Sequence, residues 1–173
     1  MTESTTTAPR VIVVMGVSGA GKTEIGVALA DALQWTFYDA DTYHSQTSIE
    51  KMHRGEGLTD EDRAPWLARL HALIADVIAA NRCCVLACSA LKERYRDALR
   101  PDIAEPGDIR FVYLDVPRDV LEERLRTRSG HFAPPELLAS QLATLEKPRD
   151  AVWVDGTGRP AAIVAIARAK LGV

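Results

Sequence analysis

Val11-Ile12-Val13-Val14-Met15-Gly16-Val17-Ser18-Gly19-Ala20-Gly21-Lys22-Thr23 reads as a buried strand that runs straight into the phosphate-binding pattern Gly-x-x-x-x-Gly-Lys-Ser/Thr. The spacing has a physical cause. Glycines let the backbone curl so that successive N–H groups point inward at phosphate oxygens, and the N-terminus of the following helix adds the positive end of its dipole. On this reading the whole run Gly16, Val17, Ser18, Gly19, Ala20, Gly21, Lys22 and Thr23 holds a nucleotide. Lys22 reaches its β- and γ-phosphates and Thr23 ligates Mg²⁺. An apolar strand in front and a helix-forming run behind separate this match from a mere glycine-rich turn.

Outward from that loop, short apolar strands alternate with longer amphipathic helices, the pattern of a parallel sheet covered on both faces. The strands are expected over 10–15, 36–38, 83–88, 109–116 and 151–154. A first helix spans 23–34, with Ile25, Leu29 and Leu33 on one stripe facing the core. After the acidic turn Asp39-Ala40-Asp41 comes a helical piece around 48–54 and a Gly55-Glu56-Gly57 break. Thr59 then caps a helix with Asp60, Glu61 and Asp62 in its first turn, which continues through Trp66, Leu70, Leu73, Val77 and Ile78. Ser89-Ala90-Leu91-Lys92 is expected to open a helix that stops near Pro101. Pro117 starts a helix over 118–128, Ser129 to Phe132 break it, Pro134-Pro135 start another, and 161–171 closes the chain. A break between two helices suits a mobile cover, a lid at about 124–136.

Composition narrows the classes. The chain has 173 residues, 47% of them apolar, which suits one globular domain over 10–173 behind a flexible, Ser/Thr-rich start at 1–9. A formal net charge of -3, with no basic block, argues against a nucleic-acid partner. No window approaches membrane-spanning length, and the start lacks the charged and apolar regions of a signal peptide. Cys83, Cys84 and Cys88 share one apolar stretch without metal-ligand spacing, so they read as reduced thiols in strand interior and the protein as cytoplasmic.

The guanine-reading tetrad Asn-Lys-x-Asp is absent, which weakens a GTPase reading. Asp39, Asp41, His44, Lys51, Arg63, Ser89, Lys92 and Arg96 fall near the carboxyl ends of strands two and three, where open parallel sheets place their ligands. A crevice there would set an acceptor opposite the γ-phosphate.

Five segments in order resemble the gluconokinases, small phosphate-loop kinases related to the shikimate kinases. They are G-V-S-G-A-G-K-T at 16–23, D-A-D-T-Y-H at 39–44, I-E-K-M-H-R-G-E-G-L-T-D-E-D-R-A-P-W-L at 49–67, C-S-A-L-K-E-R-Y-R-D-A-L at 88–99 and R-S-G-H-F at 128–132. The first is generic, while the third to fifth are specific in combination. The match covers about residues 10–155, and the tail beyond Asp155 is weakly matched. Family members often carry Ser where Thr23 stands and Gly where Ala40 stands. The resemblance implies a three-layer α/β fold with a five-stranded parallel sheet in the order 2-3-1-4-5, ATP-dependent phosphorylation of D-gluconate to 6-phospho-D-gluconate, and a homodimer. The same chemistry on shikimate or adenylyl sulfate, and a nucleotide-binding regulatory module that transfers nothing, stay open as alternatives.

Phosphoryl transfer needs positioning and charge neutralisation more than covalent help, so cations should converge on the moving group from both sides. Lys22 and Mg²⁺ serve one side. Arg124 and Arg128, four apart on one helical face, close over the other, unless that face is simply solvated. Asp41 is the candidate to orient the acceptor hydroxyl and take its proton, with Asp39 its competitor; either carboxylate, with Thr23, could hold the metal. For an anionic polyol, Arg63, Lys92 and Arg96 would face the carboxylate, and His44, His131 and Ser89 the hydroxyls. Trp66 reads as packing, Lys51 and His53 rank lower, and His71 reads as structural.

Overall fold

The computed structural model of the protein describes residues 8–127 and 135–173. Its centre is β1 (Val11–Met15), every residue of which is fully buried. Such a continuous apolar run, rather than an alternating one, is what a strand covered on both faces requires. β2 (Thr36–Asp39), β3 (Cys84–Ala87), β4 (Ile109–Asp115) and β5 (Val152–Asp155) complete one parallel sheet in the order β2-β3-β1-β4-β5. Val11 is in register with Cys84 on one side and Ile109 on the other. This is the sheet order the resemblance implied.

Helices cover both faces. α1 (Lys22–Leu33) buries Ile25, Gly26, Leu29 and Ala30 and packs against β3 and against α7 (Pro160–Leu171). The expected stripe is there, with Leu33 only partly buried at its end. β2 leads into a 3₁₀ turn (Ala40–Tyr43), then α2 (Gln46–His53) and α3 (Asp60–Ala79). α3 opens on a capping box: Thr59 Oγ1 accepts the Asp62 N–H at 3.1 Å and Asp62 Oδ2 accepts the Thr59 N–H at 2.9 Å. α4 (Glu93–Ala98), α5 (Arg118–Thr127) and α6 (Pro135–Thr144) follow.

One expected helix start moves. Ser89 to Lys92 is a loop, and α4 begins at Glu93 with Lys92 as its extended N-cap. The cause is Ala90, whose φ of 45° is outside helical geometry. Cys84 and Cys88 are buried, and burial pushes both thiols up to about 12, so they are neutral core atoms. Among the described residues no helix is long and apolar enough to cross a membrane.

Candidate active site

The phosphate loop joins β1 to α1 at the carboxyl edge of the sheet. Gly21, at φ 95°, is the N-cap of α1 and offers no side-chain cap, so the cap position itself does not compete with a ligand at this helix start. Lys22 Nζ donates to the Val17 carbonyl at 3.0 Å, folded back over the loop. A cleft of about 740 Å³ opens here, lined by Ser18 to Ile25, by Asp39, Asp41, Arg124 and Leu125, and by Gly156, Gly158, Pro160 and Ile163.

Asp39 and Thr23 meet at the floor of that cleft, where Thr23 Oγ1 donates to Asp39 Oδ2 at 2.9 Å. Asp39 Oδ1 accepts the Asp41 N–H at 3.0 Å, so the first carboxylate also fixes the turn that carries the second. The Asp41 side chain is 76% exposed and faces the cleft. The described residues contain no cluster of three or more His, Cys, Asp or Glu suited to a metal. A hydroxyl beside a carboxylate still fits Mg²⁺, a hard cation that takes few protein oxygens and fills its shell with phosphate and water.

Behind Asp41 the wall is packed. The His44 side chain is only 5% exposed and stacks on Trp66, with ring centroids 4.5 Å apart, while Trp66 Nε1 donates to the Ala40 carbonyl at 2.7 Å. Burial holds the His44 imidazole below its ordinary value against the opposing pull of Asp41, with Arg63 and Arg69 adding to the depression. His44 Nδ1 is buried without a hydrogen-bond partner among the described residues, and Nε2 stands 3.9 Å from Asp41 Oδ1. Trp66 is core packing, as read from the sequence.

A second cluster lies between α3 and α4, built around Tyr95. Arg63, Lys92 and Arg94 each lie 5.3 to 5.6 Å from its ring centroid. Its hydroxyl donates to Asp60, which also pairs with Arg94 and, at 3.5 Å, with Lys92. The Tyr95 hydroxyl holds the Asp60 carboxyl below its ordinary value, and Arg94 and Lys92 add to this. Three cations against one carboxylate leave this wall positive, so it suits an anion. Asp60, Arg94 and Tyr95 were not singled out from sequence; the only signal was their place within the matched segments.

Two candidate cations lie elsewhere than expected. Arg96 is buried, and its Nη1 donates to the Ala90 carbonyl at 2.9 Å and the Leu91 carbonyl at 3.3 Å. It is committed to pinning the strained loop before α4 rather than open to a substrate carboxylate. Arg124 donates to the carbonyls of Gly19 at 3.2 Å and Ala20 at 3.4 Å, and to that of Gly156 at 2.7 Å. It therefore clasps the phosphate loop to the turn after β5, on the nucleotide side, instead of reaching across from the acceptor side. Lys51 pairs with Asp62 at 2.8 Å, holding the Asp62 carboxyl at about 2. Ser89 is half-buried at the end of β3. His71 Nδ1 meets the Ala98 carbonyl at 2.9 Å, a structural contact as expected. Arg128 and His131, with most of the expected lid, lie outside the described residues.

The turn Asp155-Gly156-Thr157-Gly158, where the resemblance weakens, forms the far wall of the cleft through Gly156 and Gly158. A Cβ on Gly156 would stand 2.5 Å from Val116 Cγ2, so a larger residue would press this turn against the end of β4.

A parallel sheet in this order, with a phosphate loop at its edge and the Asp39–Asp41 turn beside it in one cleft, defines a small-molecule kinase of the phosphate-loop class. The family model described as an AAA domain matches residues 11–148. The chain is 49% identical over 142 residues to the gluconokinase of Gluconobacter oxydans (strain 621H), covering 82% of this chain and 78% of that one. Among solved structures it matches a sugar kinase from Janibacter sp. HTCC2649 at a TM-score of 0.87 and 42% identity, over 95% of each chain. It matches a gluconokinase from Sinorhizobium meliloti 1021 at 0.83 and 46%, over 95% of this chain and 93% of that one. The chain belongs to the gluconokinase family.

Proposed function

We propose that the protein transfers the γ-phosphoryl group of ATP to the 6-hydroxyl of D-gluconate, giving ADP and 6-phospho-D-gluconate. The observation that carries the site-level reading is the Asp39–Asp41 turn, which one hydrogen bond ties to Thr23 of the phosphate loop and which faces the same cleft.

In this mechanism the loop amides and Lys22 hold the triphosphate, and Arg63 and Lys92 hold the gluconate carboxylate. Asp41 accepts the proton of the attacking hydroxyl as the new O–P bond forms and the bond to the β–γ bridging oxygen breaks. His44, neutral and stacked on Trp66, supports the backbone turn that carries Asp41. Thr23 and Asp39 are the residues that would hold Mg²⁺, which when bound neutralises phosphate charge. The wall from Gly156 to Ile163, with Arg124, is read as the nucleotide's outer side. Cytoplasmic placement rests on reading Cys83, Cys84 and Cys88 as reduced thiols, and a homodimer on the resemblance alone.

A coupled ADP-release assay with gluconate, shikimate, adenylyl sulfate and related sugar acids tests the activity. Turnover should appear with gluconate and vanish in Lys22→Ala. ATP consumption indifferent to every acceptor would instead indicate a regulatory nucleotide module.

A further inference from the structure

α6 carries a side chain that the reaction described above does not use. Gln141 Oε1 accepts the main-chain N–H of Ser18 at 2.7 Å, across 123 positions of chain. Among the described residues no other side chain accepts a main-chain N–H of the loop Gly16–Thr23. Because the partner is an N–H, the oxygen end of the carboxamide must face it.

The peptide unit held in this way is also held from its other end. Its carbonyl, that of Val17, accepts Lys22 Nζ at 3.0 Å. The N–H and C=O of a trans peptide point in opposite directions. Gln141 and Lys22 therefore grip the Val17–Ser18 peptide from opposite sides, and a rotation of that peptide would break both contacts together.

The helix that supplies Gln141 also borders the acceptor wall. A Cβ on Gly57, in the segment before α3, would stand 2.7 Å from Ser140 Oγ. Just past the helix, the Glu146 N–H donates to the Leu91 carbonyl at 2.8 Å, and Glu146 Oε2 accepts the Glu93 N–H at 2.7 Å. Leu138, one turn before Gln141, is buried and anchors the helix to the core. This short helix and the residues just past it thus touch the phosphate loop, the approach to α3 and the loop that carries Lys92.

We infer that Gln141 is a positioning residue for phosphoryl transfer. By fixing the Val17–Ser18 peptide to the acceptor-side helix, it sets the conformation of the loop from which Lys22 reaches the terminal phosphate. This role rests on the protein being an ATP-dependent gluconate kinase. Only the acceptor oxygen of the carboxamide is needed for it.

Gln141→Met keeps the reach and removes the acceptor, whereas Gln141→Glu keeps an acceptor oxygen at the same reach. One hydrogen bond of this kind changes an equilibrium or a rate by up to about tenfold. In Gln141→Met, kcat with gluconate should fall by about tenfold while the KM for gluconate stays within about twofold, and Gln141→Glu should recover most of the loss. Calorimetry without acceptor supplies a separate reading: the affinity ratio of ATP over ADP should narrow in Gln141→Met, because Lys22 distinguishes the two through the γ-phosphate. A merely structural contact would lower the melting temperature and leave both kcat and that ratio unchanged, which overturns the inference. Gln141→Glu no better than Gln141→Met would also overturn it. If Gln141→Met does not fold, Gln141→Asn, one methylene shorter, takes its place with the same expectations. Absence of gluconate turnover in the parent protein defeats the functional reading, but the ATP-over-ADP ratio still decides the role of Gln141.

Discussion

Two carboxylates two residues apart divide the work because their neighbours differ. Asp39 is held by the Thr23 hydroxyl and by the N–H of Asp41, a fixed place suited to a metal shell, while Asp41 projects into the cleft. Asp41→Asn should therefore lower kcat by about 10² to 10⁴ and leave ADP affinity nearly unchanged by calorimetry. Normal turnover in Asp41→Asn would remove the base assignment. The Asp-x-Asp pair was legible in the sequence from its place after the second strand. Which carboxylate faces Thr23 was not, since that depends on how the 3₁₀ turn folds. His44 adds a pH signature. Its folded value lies below the ordinary 6.5, so the unfolded chain binds the extra proton first. Its contribution to stability is complete above 6.5 and is lost as pH falls from there toward the depressed value. His44→Phe keeps the stack on Trp66 and removes the titration, so its melting temperature should fall less than that of the parent between pH 7 and pH 5. Parallel curves would show that His44 is not the group responsible. Asp62, with its carboxyl at about 2, loses its contribution only below 3.8, outside that window.

At the scale of the element, the loop between β3 and α4 shows how a sequence can be misread in detail. The segment from Cys88 to Leu99 was expected on the acceptor side, and it supplies Lys92 and Tyr95 to the cationic wall. Its helix, however, starts four residues late, because Ala90 takes a left-handed conformation that no residue preference announces. That conformation is held by Arg96, buried beneath it with its guanidinium on two loop carbonyls. A guanidinium written in the sequence looks the same whether it meets a substrate or a backbone; only burial separates the two. Arg96→Met leaves those carbonyls without their donor in a buried site, at a cost of about 1 to 3 kcal/mol in chemical denaturation. Because Lys92 rides on the same loop, the KM for gluconate should rise while the KM for ATP stays unchanged. If both KM values rise equally, the loop does not belong to the acceptor side. The capping box at Thr59, by contrast, was legible in full, because a cap and its first turn are local in sequence.

For the molecule as a whole, the strands and the phosphate loop were legible because both are written in contiguous residues, apolar runs for strands and a spaced glycine pattern for the loop, whereas the sheet order came from the family resemblance alone. The far wall of the cleft was not legible. Gly156 and Arg124 lie 32 positions apart and meet the loop only in the folded chain, where Arg124 ties both to the carbonyls of Gly19 and Ala20. The nucleotide cleft is therefore assembled from the beginning, middle and end of the sequence, with the phosphate loop and the start of α1, α5, and the β5–α7 turn each giving one side. A ligand that binds such a site binds only the folded chain and stabilises all three parts together. At a concentration of about 100 times its Kd, nucleotide should add about 2.7 kcal/mol. For a domain of this size each kcal/mol raises the melting temperature by about 2–4 °C, so MgADP should raise it by about 5–10 °C. If Thr23 and Asp39 hold the metal, chelating Mg²⁺ with EDTA should shrink that rise, and Asp39→Asn with Mg²⁺ present should shrink it by a similar amount. A rise insensitive to both would mean that the metal is held elsewhere, and an absent rise would mean that the loop does not retain the nucleotide at all.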